Sequence, residues 1–378
     1  MTDAIVAAFE ASEYAGRLAA CRRALAARGL DALLIFAQES QYYLFGYDGG
    51  GYVFFQCTVL TTDAGPSTLL CRRPDVAQAR DTSTIEEIRV WLNAEDADPA
   101  AQLRDILAEK GLTGARVVFP MVSVGATENA LIAATLAKGT SELVNVAREP
   151  EIMDLAECLN AMGARITGHG TDMITVEGVE SLGDAEHAVI PDRIEAGTFA
   201  IAALITGGDL TLTSARPRHL DSLLEILKDT GAAISVTDNS MRIAANGVAK
   251  AADITTDPYP GFPTDLQAQF MALMCLAEGP SRISETVFEN RFMHVPELMR
   301  MGADIRVDGG VAIVKGQKTL TPAPVMATDL RASVSLVLAA LATEGTSEVS
   351  RIYHLDRGYS DLEAKLGACG ARMKRVGD

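Results

Sequence analysis

The sequence lacks the residue patterns that hold structural metals or cross-link small secreted domains. Its six cysteines are scattered with no CxxC pair, and its five histidines form no HxxxH or HExxH motif. These absences argue against a zinc site and against a disulfide framework, and they are typical of a protein from a reducing compartment. We therefore expect a cytoplasmic protein.

Basic residues are also in short supply. The chain has 33 lysines and arginines against 50 aspartates and glutamates, which gives a formal net charge of −17. A nucleic-acid partner is excluded because binding a polyanion needs a basic face. A site for phosphate or carboxylate must therefore be built locally, from single arginines and from helix ends.

Long apolar runs and targeting signals are missing as well. No run approaches the ~20 residues that a membrane-spanning helix requires. The first residues, MTDAIVAAFEASEY, have no basic stretch ahead of an apolar one, so we expect no signal peptide. The Gly49-Gly50-Gly51 run lacks both the lysine of a phosphate-binding loop and the spacing of a dinucleotide site, which favours an ordinary loop.

What the sequence does contain is a repeat, within a length sufficient for two or three domains. A Gly-Ala pair follows an amphipathic segment at Gly163, Gly231, Gly302 and Gly370, at spacings of 68, 71 and 68 residues. A second glycine follows an apolar segment in each copy, at Gly139, Gly207, Gly279 and Gly345. Glycine at these places predicts left-handed helix C-caps.

Each copy predicts two helices of different character. The first helices are apolar nearly all round, which predicts burial, and they are ENALIAATLA, IEAGTFAIAALI, LQAQFMALMCLA and LRASVSLVLAALA. The second helices are amphipathic and should lie outside, and they are MDLAECLNAM, LDSLLEILKDT, VPELMRM and SDLEAKLGAC. We therefore predict an inside-out arrangement in which helices pack within a shell of sheets.

Residues 1–119 do not show the repeat. The segment EYAGRLAACRRALAARGL predicts an amphipathic helix closed by Gly29, and DALLIFA predicts a buried strand. The segments GYVFFQCTVL and STLLC predict a hairpin around Asp63–Pro66, and PAAQLRDILAEKG predicts a helix that leads into a strand, ARVVF. These elements predict a compact mixed α/β domain that ends near Phe119.

Arginines and aspartates recur around the repeat helices. Arg148, Arg216, Arg291 and Arg357 each precede a second helix, where they form surface salt bridges or converge on a cleft that binds an anion. Asp192-Arg193-Ile194-Glu195 and Thr264-Asp265-Leu266-Gln267 predict capping boxes. In Thr328-Asp329-Leu330-Arg331 an arginine is expected in the first turn, which the helix dipole disfavours by ~0.3–1 kcal/mol, and this suggests a nearby anion.

Several segments from Val122 to the C-terminus resemble the enolpyruvyl transferases, and within them the transferases that use UDP-N-acetylglucosamine. They are VSVGATENALIAATLAKGT, NVAREPEIMDLAECLNAMGA, IPDRIEAGTFAIAA, FPTDLQAQF, ETVFENRFMHVPELMRMGA, VMATDLRAS and RIYHLDRGY. The resemblance implies transfer of the enolpyruvyl group of phosphoenolpyruvate to the sugar 3′-hydroxyl, the first committed step of peptidoglycan synthesis. It implies no metal or organic cofactor.

The resemblance also implies roles for residues. Asp265 corresponds to the general base, and Asp329 to a second acidic residue of the site. Arg291, Arg331 and Arg357 correspond to the arginines that bind the carboxylate and phosphate of phosphoenolpyruvate. Val122, Ser123, Val124 and Gly125 correspond to the uridine-nucleotide loop, and Val287 to a contact with the same ligand. Met121 stands where the family often has a basic residue.

The chain departs from the family pattern in its first third. The family enzyme has two lobes of three units, whereas this chain has four units: an orphan unit at 120–187 and a second lobe at 188–378. The pattern's lysine–asparagine pair, the loop with its general acid and two arginines have no counterpart. Residues 1–119 instead resemble the N-terminal domain of the creatinase and Xaa-Pro dipeptidase family, through EYAGRLAACRRALAARGLDALLIFAQESQYYLFGYDGG and ARVVF.

The expected fold class is thus α/β (α+β): an N-terminal mixed α/β domain followed by an inside-out barrel of ~68-residue repeats. Three functions compete. The chain is an enolpyruvyl transferase with weak activity, or a non-catalytic mosaic that retains partial ligand binding or serves in assembly. A metallohydrolase led by residues 1–119 is set aside, because the metal-bearing domain of that family has no counterpart. The N-terminal domain is expected to support packing or self-association.

Overall fold

The computed structural model describes residues 9–49, 54–92, 97–112, 116–288 and 291–376. Gly50 and Gly51 of the glycine run therefore lie outside the described residues. Within these ranges, none of the helices combines the length and apolar character that crossing a bilayer requires. The α-helices are α1 (Ala11–Ala27), α2 (Gln38–Phe45), α3 (Val76–Thr82), α4 (Pro99–Glu109), α5 (Val124–Thr135), α6 (Pro150–Ala161), α7 (Arg193–Ile205), α8 (Asp221–Asp229), α9 (Gln267–Met274), α10 (Val295–Arg300), α11 (Ser333–Leu341), α12 (Tyr353–Asp356) and α13 (Leu362–Ala368).

The strands of the described residues form five sheets. They are β1 (Ala32–Ile35), β2 (Cys57–Thr61), β3 (Thr68–Arg72), β4 (Glu87–Trp91), β5 (Arg116–Val118), β6 (Thr140–Val144), β7 (Arg165–Thr167), β8 (Met173–Glu177), β9 (Asp209–Thr213), β10 (Ala233–Val236), β11 (Ser240–Ala244), β12 (Ile254–Thr255), β13 (Pro280–Ser284), β14 (Asp304–Asp308), β15 (Val311–Lys315), β16 (Pro324–Met326) and β17 (Glu348–Ser350). Their orders are β1-β2-β3-β4, β5-β6-β8-β7, β10-β11-β9, β12-β13-β15-β14 and β16-β17. Short 3₁₀ helices lie at Arg73–Asp75, Pro217–Leu220 and Thr264–Leu266.

The N-terminal sheet has apolar cores on both faces. One contains Phe45, Tyr47 and Leu69, and the other contains Trp91 and Leu103. The predicted helix closed by Gly29 is confirmed as α1, and the predicted hairpin is confirmed as the antiparallel pair β2 and β3. Helices α2 and α3 and strand β4 complete the domain and were not anticipated, since none of them stands out by periodicity.

The repeat is visible in the topology of two sheets. In β5-β6-β8-β7 and in β12-β13-β15-β14 the first two strands are parallel and the others antiparallel, so the two orders are the same. Gly178 and Gly316, 138 residues apart, share one steric role. A Cβ atom would lie 1.5 Å from the carbonyl oxygen of Ala137 at the first and 1.7 Å from that of Ala277 at the second.

The eight glycines of the repeat adopt the predicted left-handed conformation. Their φ angles run from +68° to +120° at Gly139, Gly163, Gly207, Gly231, Gly279, Gly302, Gly345 and Gly370. L-residues with a side chain rarely adopt this conformation, so the helix ends of all four units are fixed by the local sequence.

The predicted inner helices are buried where three units meet. Helices α7, α9 and α11 pack on one another, and every residue of α9 is buried. One continuous apolar core runs through this part of the chain, from Ile194 to Leu366. The amphipathic helix α8 lies outside and turns Leu223, Leu224 and Leu227 inward. The predicted burial of the inner helices is therefore confirmed for α7, α9 and α11. Their arrangement within a shell of sheets stays a prediction.

The fourth predicted inner helix differs from these three. Helix α5 packs on α4, α6 and β8, but one of its faces is exposed, and Ile132 is 48% exposed on it. The prediction of burial all round is wrong for α5, because burial on every side requires neighbours that its own sequence does not supply.

The pairing of the strands ends the N-terminal sheet before β5, and therefore before the predicted domain boundary at residue 119. Strand β5, which is the predicted ARVVF strand, pairs in parallel with β6 rather than with the N-terminal sheet. Val117 and Phe119 pack against the core of the following unit. The strand was misassigned because its position in the chain does not reveal its partner, and it is the leading strand of the first repeat unit.

Candidate active site

Asp265 and Arg291 form an ion pair at the end of the inner helices. Asp265 lies in the 3₁₀ helix Thr264–Leu266 that leads into α9, and its Oδ1 is 2.7 Å from Arg291 Nη2. The arginine side chain is only 12% exposed, whereas the aspartate side chain is 39% exposed. The Arg291 guanidinium also lies 5.1 Å from the Phe288 ring centroid. The cation is therefore held in place while the carboxylate stays accessible.

The Thr264–Gln267 segment does not form the predicted capping box. Thr264 donates its hydroxyl hydrogen bond to Glu285 Oε2, at 2.9 Å, rather than to the start of α9. Helix α9 has no side-chain cap, because a 3₁₀ turn precedes it and satisfies amides through the backbone. For Asp192 the N-cap half of the predicted box is confirmed, since its Oδ1 accepts bonds from Ile194 N and Glu195 N at 2.7 and 3.0 Å. Glu195 instead accepts a bond from Lys365 Nζ at 2.6 Å.

Glu285 organises the loop that carries the candidate ligand contacts. Its carboxylate accepts hydrogen bonds from Thr256 Oγ1 (2.8 Å) and Thr264 Oγ1 (2.9 Å). It also accepts bonds from Val287 N and Phe288 N, both at 3.0 Å. The turn containing Val287 is thereby tied to the residue before the candidate base. The sequence did not predict a role for Glu285, because only these contacts distinguish it from an ordinary surface glutamate.

Arg331 is held from three sides. Its Nη1 donates to Gly358 O at 3.1 Å, its Nη2 lies 3.4 Å from Asp192 Oδ2, and its guanidinium carbon lies 5.4 Å from the ring centroid of Tyr359. Burial lowers the pKa of Arg331, but the negative charges of Asp192 and Asp265 and the interaction with the Tyr359 side chain outweigh burial and leave it raised. Arg331 therefore stays charged within electrostatic reach of both aspartates.

The structure places Arg331 just before α11 rather than in its first turn, because Ser333 is the first helical residue. Asp329 shapes this turn, with Oδ1 accepting bonds from Arg331 N at 2.7 Å and Ala332 N at 2.6 Å. The prediction that Arg331 lies in the first turn of the helix is therefore wrong, and so is the conflict with the helix dipole that was expected from it. Asp192, 139 residues away, supplies negative charge at this turn.

The four arginines that precede the second helices share no contact. Among the described residues, only Arg291 of the four forms an ion pair. Arg148 and Arg357 are exposed, and Arg216 is half-buried. Arg357 lies at the end of α12, directly before Gly358, which accepts a bond from Arg331. Contacts join Arg291 to Asp265 and Arg331 to Asp192, and Arg357 is linked to the second pair only through the backbone of its neighbour Gly358.

The candidate nucleotide loop forms the start of α5. Ser123 is the N-cap, and its side chain accepts a bond from Ala126 N at 3.3 Å. Val122, Val124 and Gly125 flank this cap, and Met121 is exposed. The first turn of a helix presents unpaired amides and a partial positive charge, so this end favours an anionic group.

Two contacts connect the unit that contains α5 to the following units. Arg193 Nε lies 2.9 Å from Glu151 Oε1, and Tyr259 N donates to Glu149 Oε1 at 3.3 Å. Glu149 is buried and its second oxygen has no partner within the described residues. Glu149 and Glu151 belong to the AREPE segment at the start of α6.

His294 is fully buried, within electrostatic reach of Asp329 and Arg291. Burial lowers its pKa to about 4, and the nearby Asp329 carboxylate and the Arg291 backbone oppose this only in part. The imidazole is therefore neutral in the folded protein at pH 7. In the unfolded chain a histidine titrates near its ordinary value of about 6.5.

We expect the stability contributed by a neutral His294 to be present above pH 6.5 and to be lost as the pH falls toward 4. Between pH 7 and pH 5 the free energy of unfolding should fall by about 2 kcal/mol through this group, because the unfolded state binds the proton and the folded state does not. Urea unfolding at both pH values would measure it, with His294→Leu as the comparison. Equal pH dependence in both proteins would contradict the prediction.

Comparisons with known proteins agree with this arrangement. The profile of the EPSP synthase family (3-phosphoshikimate 1-carboxyvinyltransferase) matches residues 87–366 and so begins inside the N-terminal sheet. A UDP-N-acetylglucosamine 1-carboxyvinyltransferase of Methylorubrum populi is 60% identical over 269 residues, covering 71% of this chain and 63% of that protein. One from Xanthobacter autotrophicus is 61% identical over 270 residues, with the same coverage. The chain thus spans about 63% of the length of these relatives.

Solved structures show the same relationship. The enolpyruvyl transferase NikO from Streptomyces tendae aligns with a TM-score of 0.61 and 31% identity, covering 66% of this chain and 59% of that one. An EPSP synthase from Acinetobacter baumannii aligns with a TM-score of 0.57 at 18% identity, covering 76% and 75%, which is a likeness of fold alone. The creatinase-like character of residues 1–119 stays a prediction.

Proposed function

This chain belongs to the EPSP synthase family of carboxyvinyl transferases, and we propose that it transfers the enolpyruvyl group of phosphoenolpyruvate to the 3′-hydroxyl of UDP-N-acetylglucosamine with release of phosphate. The observation that carries the proposal is the accessible Asp265 carboxylate, paired with Arg291 and within electrostatic reach of Arg331. The choice of sugar nucleotide rests on the curated relatives, which are about 60% identical to the chain and bear that name.

Asp265 is the proposed general base. An alcohol is a weak nucleophile until a base removes its proton in the transition state, and a positioned base typically contributes ~10²–10⁴-fold. The Arg291 guanidinium orients this carboxylate through a charged hydrogen bond of 2.7 Å. Asp329 has a different role: its Oδ1 is engaged by the amides of Arg331 and Ala332, so it shapes the turn.

Arg291, Arg331 and Arg357 are proposed to bind the carboxylate and phosphate of phosphoenolpyruvate. A guanidinium suits both groups because its planar fork donates two parallel bonds and stays charged. In the chain as it stands, Arg331 faces Asp192 at 3.4 Å, which is long for a charged hydrogen bond. An incoming phosphate can therefore compete for this arginine.

The start of α5 is proposed to receive the nucleotide. Its unpaired first-turn amides near Val124 and Gly125 match an anionic diphosphate. The contact of Tyr259 with Glu149 attaches this unit to the segment before Asp265, and that of Arg193 with Glu151 attaches it to the start of α7. Val287 lies exposed on the turn that Glu285 fixes, where it is free to contact the same ligand.

A second candidate is a ligand-binding protein without turnover. The observation in its favour is that the chain spans only about 63% of the length of the relatives. The family pattern includes a lysine and a general-acid loop that have no counterpart in the 378 residues. Since a general acid alone is worth ~10²–10⁴-fold, we expect turnover by this chain to be weak.

The test is phosphate release from phosphoenolpyruvate by the purified chain, with and without UDP-N-acetylglucosamine. Release is expected to be slow and to depend on the sugar nucleotide, so high protein concentration and direct detection of the enolpyruvyl product are required. Sugar-independent release would indicate a contaminating phosphatase. Binding of both substrates by calorimetry without any product would favour the second candidate, and absence of binding would refute both.

A further inference from the structure

Three buried polar side chains meet among the apolar inner helices, one from each of three successive repeat units. They are Thr198 on α7, Gln269 on α9 and Tyr359 in the turn between α12 and α13. The Tyr359 hydroxyl lies 3.0 Å from Thr198 Oγ1 and 3.3 Å from Gln269 Nε2, and Gln269 Nε2 lies 3.2 Å from Thr198 Oγ1. Tyr359 is only 2% exposed.

The hydrogen-bond directions in this triad follow from its surroundings. The Thr198 hydroxyl donates to Ile194 O at 2.8 Å, so its oxygen can only accept from the other two residues. Tyr359 is therefore the donor to Thr198. Gln269 Nε2 has two hydrogens, of which one goes to Asp265 O at 2.8 Å and the other to the two hydroxyl oxygens. Burial raises the pKa of Tyr359, which keeps the phenol protonated as this pattern requires.

The triad touches both halves of the candidate site. Through Gln269 it holds the backbone carbonyl of Asp265. Through Tyr359 it supports Arg331, which lies over the phenol ring and donates to the carbonyl of the adjacent Gly358. The approach at Gly358 is close, because a Cβ there would lie 2.7 Å from Leu330 Cδ1 and 3.3 Å from Arg331 Nη1.

A polar triad is energetically unfavourable among the apolar inner helices unless its hydrogen bonds are complete. Helices α7, α9 and α11 pack largely through apolar residues, and Gln267, Ser333 and Ser335 are the further polar side chains that they bury. A buried polar group costs ~1–3 kcal/mol when its bonds are incomplete. Apolar side chains of the same volume would fill the space without that risk. Apolar side chains would not fix the orientation of their neighbours, because apolar contacts are non-directional. Hydrogen bonds do fix it, because they require a defined distance and angle between donor and acceptor.

We infer that Thr198, Gln269 and Tyr359 are positioning residues that fix the distance and orientation between the Asp265 carboxylate and the Arg331 guanidinium. The base and the anion-binding cation come from different repeat units, and the triad is a bonded path through the core that reaches both. This inference rests on the proposed function for its catalytic consequence, but the coupling of Tyr359 to Arg331 is a property of the chain itself.

The kinetic experiment uses Tyr359→Phe, which keeps the ring and removes the hydroxyl. We expect kcat/KM for phosphoenolpyruvate to fall about 10-fold, with the KM for UDP-N-acetylglucosamine changed less than twofold. Tyr353→Phe is the matched control, since that tyrosine is exposed and bonds Arg351 instead. Thr198→Val should reproduce the loss and Thr198→Ser should restore activity. Reduced stability with unchanged kinetic constants would overturn the inference.

A second measurement needs neither turnover nor ligand. Urea unfolding of Tyr359→Phe, Arg331→Gln and the double variant gives a coupling between the two residues. We expect the losses in the free energy of unfolding caused by Tyr359→Phe and Arg331→Gln to be non-additive. In a parallel cycle, the losses caused by Tyr353→Phe and Arg331→Gln should be additive. Additivity of the Tyr359 pair would overturn the inference. If the wild-type chain binds no substrate, the proposed function fails alone, and this cycle still decides whether Tyr359 acts on Arg331.

Discussion

Asp265→Asn is expected to lower sugar-dependent phosphate release by ~10²–10⁴-fold, the usual contribution of a positioned general base. Asparagine keeps the volume of the side chain and can still accept a bond from Arg291, but it cannot take a proton from a hydroxyl. The loss should therefore appear in kcat rather than in substrate affinity. Because wild-type turnover is itself expected to be slow, product formation is best followed over hours at high protein concentration.

Asp308→Asn provides the control for this substitution, because Asp308 is exposed at the end of β14. It should leave turnover unchanged within twofold. An Asp265→Asn chain that folds, binds both substrates and turns over within threefold of wild type would remove Asp265 from the role of base.

Substitution of Arg331 should have the second large effect, on the affinity for phosphoenolpyruvate. A hydrogen bond to a charged group is worth ~1.5–3 kcal/mol, and a guanidinium offers two to one anion. Since 1.4 kcal/mol corresponds to tenfold in Kd, Arg331→Gln should weaken binding by at least ~10²-fold. Arg331→Lys keeps the charge but loses the fork, so we expect ~10-fold. Isothermal titration calorimetry with phosphoenolpyruvate measures both.

Arg242→Gln is the matched control for the loss of one arginine. Arg242 on β11 pairs with Asp209 on the neighbouring β9, and both side chains are about half exposed, so the pair contributes little. Its removal should leave phosphoenolpyruvate affinity unchanged. If Arg331→Gln and Arg242→Gln bind equally well, Arg331 serves only to pair with Asp192, and the anion site must be sought elsewhere.

The helices of the repeat could be read from the sequence because their signals are local. Gly163 and Gly231 end helices whichever residues surround them in space, since the left-handed conformation is a property of the glycine itself. The apolar character of α7, α9 and α11 likewise predicted burial correctly. The same signal failed for α5, whose exposed face depends on what the rest of the chain places beside it.

The residues of the candidate site also fall into two groups, those that the sequence predicted and those that only the structure revealed. Motif resemblance predicted Asp265, Arg291 and Arg331 as site residues without any geometry. Glu285, Gln269 and Tyr359 escaped notice, because a glutamate, a glutamine and a tyrosine have no distinctive spacing in this sequence. Their importance lies in the atoms that they contact.

By itself, then, the sequence determined the repeat, the helix ends, the apolar inner helices and the residues that resemble a transferase site. Only the tertiary structure decided that β5 joins the first repeat sheet, that Asp192 faces Arg331 and that Thr198 meets Tyr359. The last two pairs are 139 and 161 residues apart. Local backbone preferences act over a few residues, so contacts at such separations arise only when the buried helices of separate units pack together.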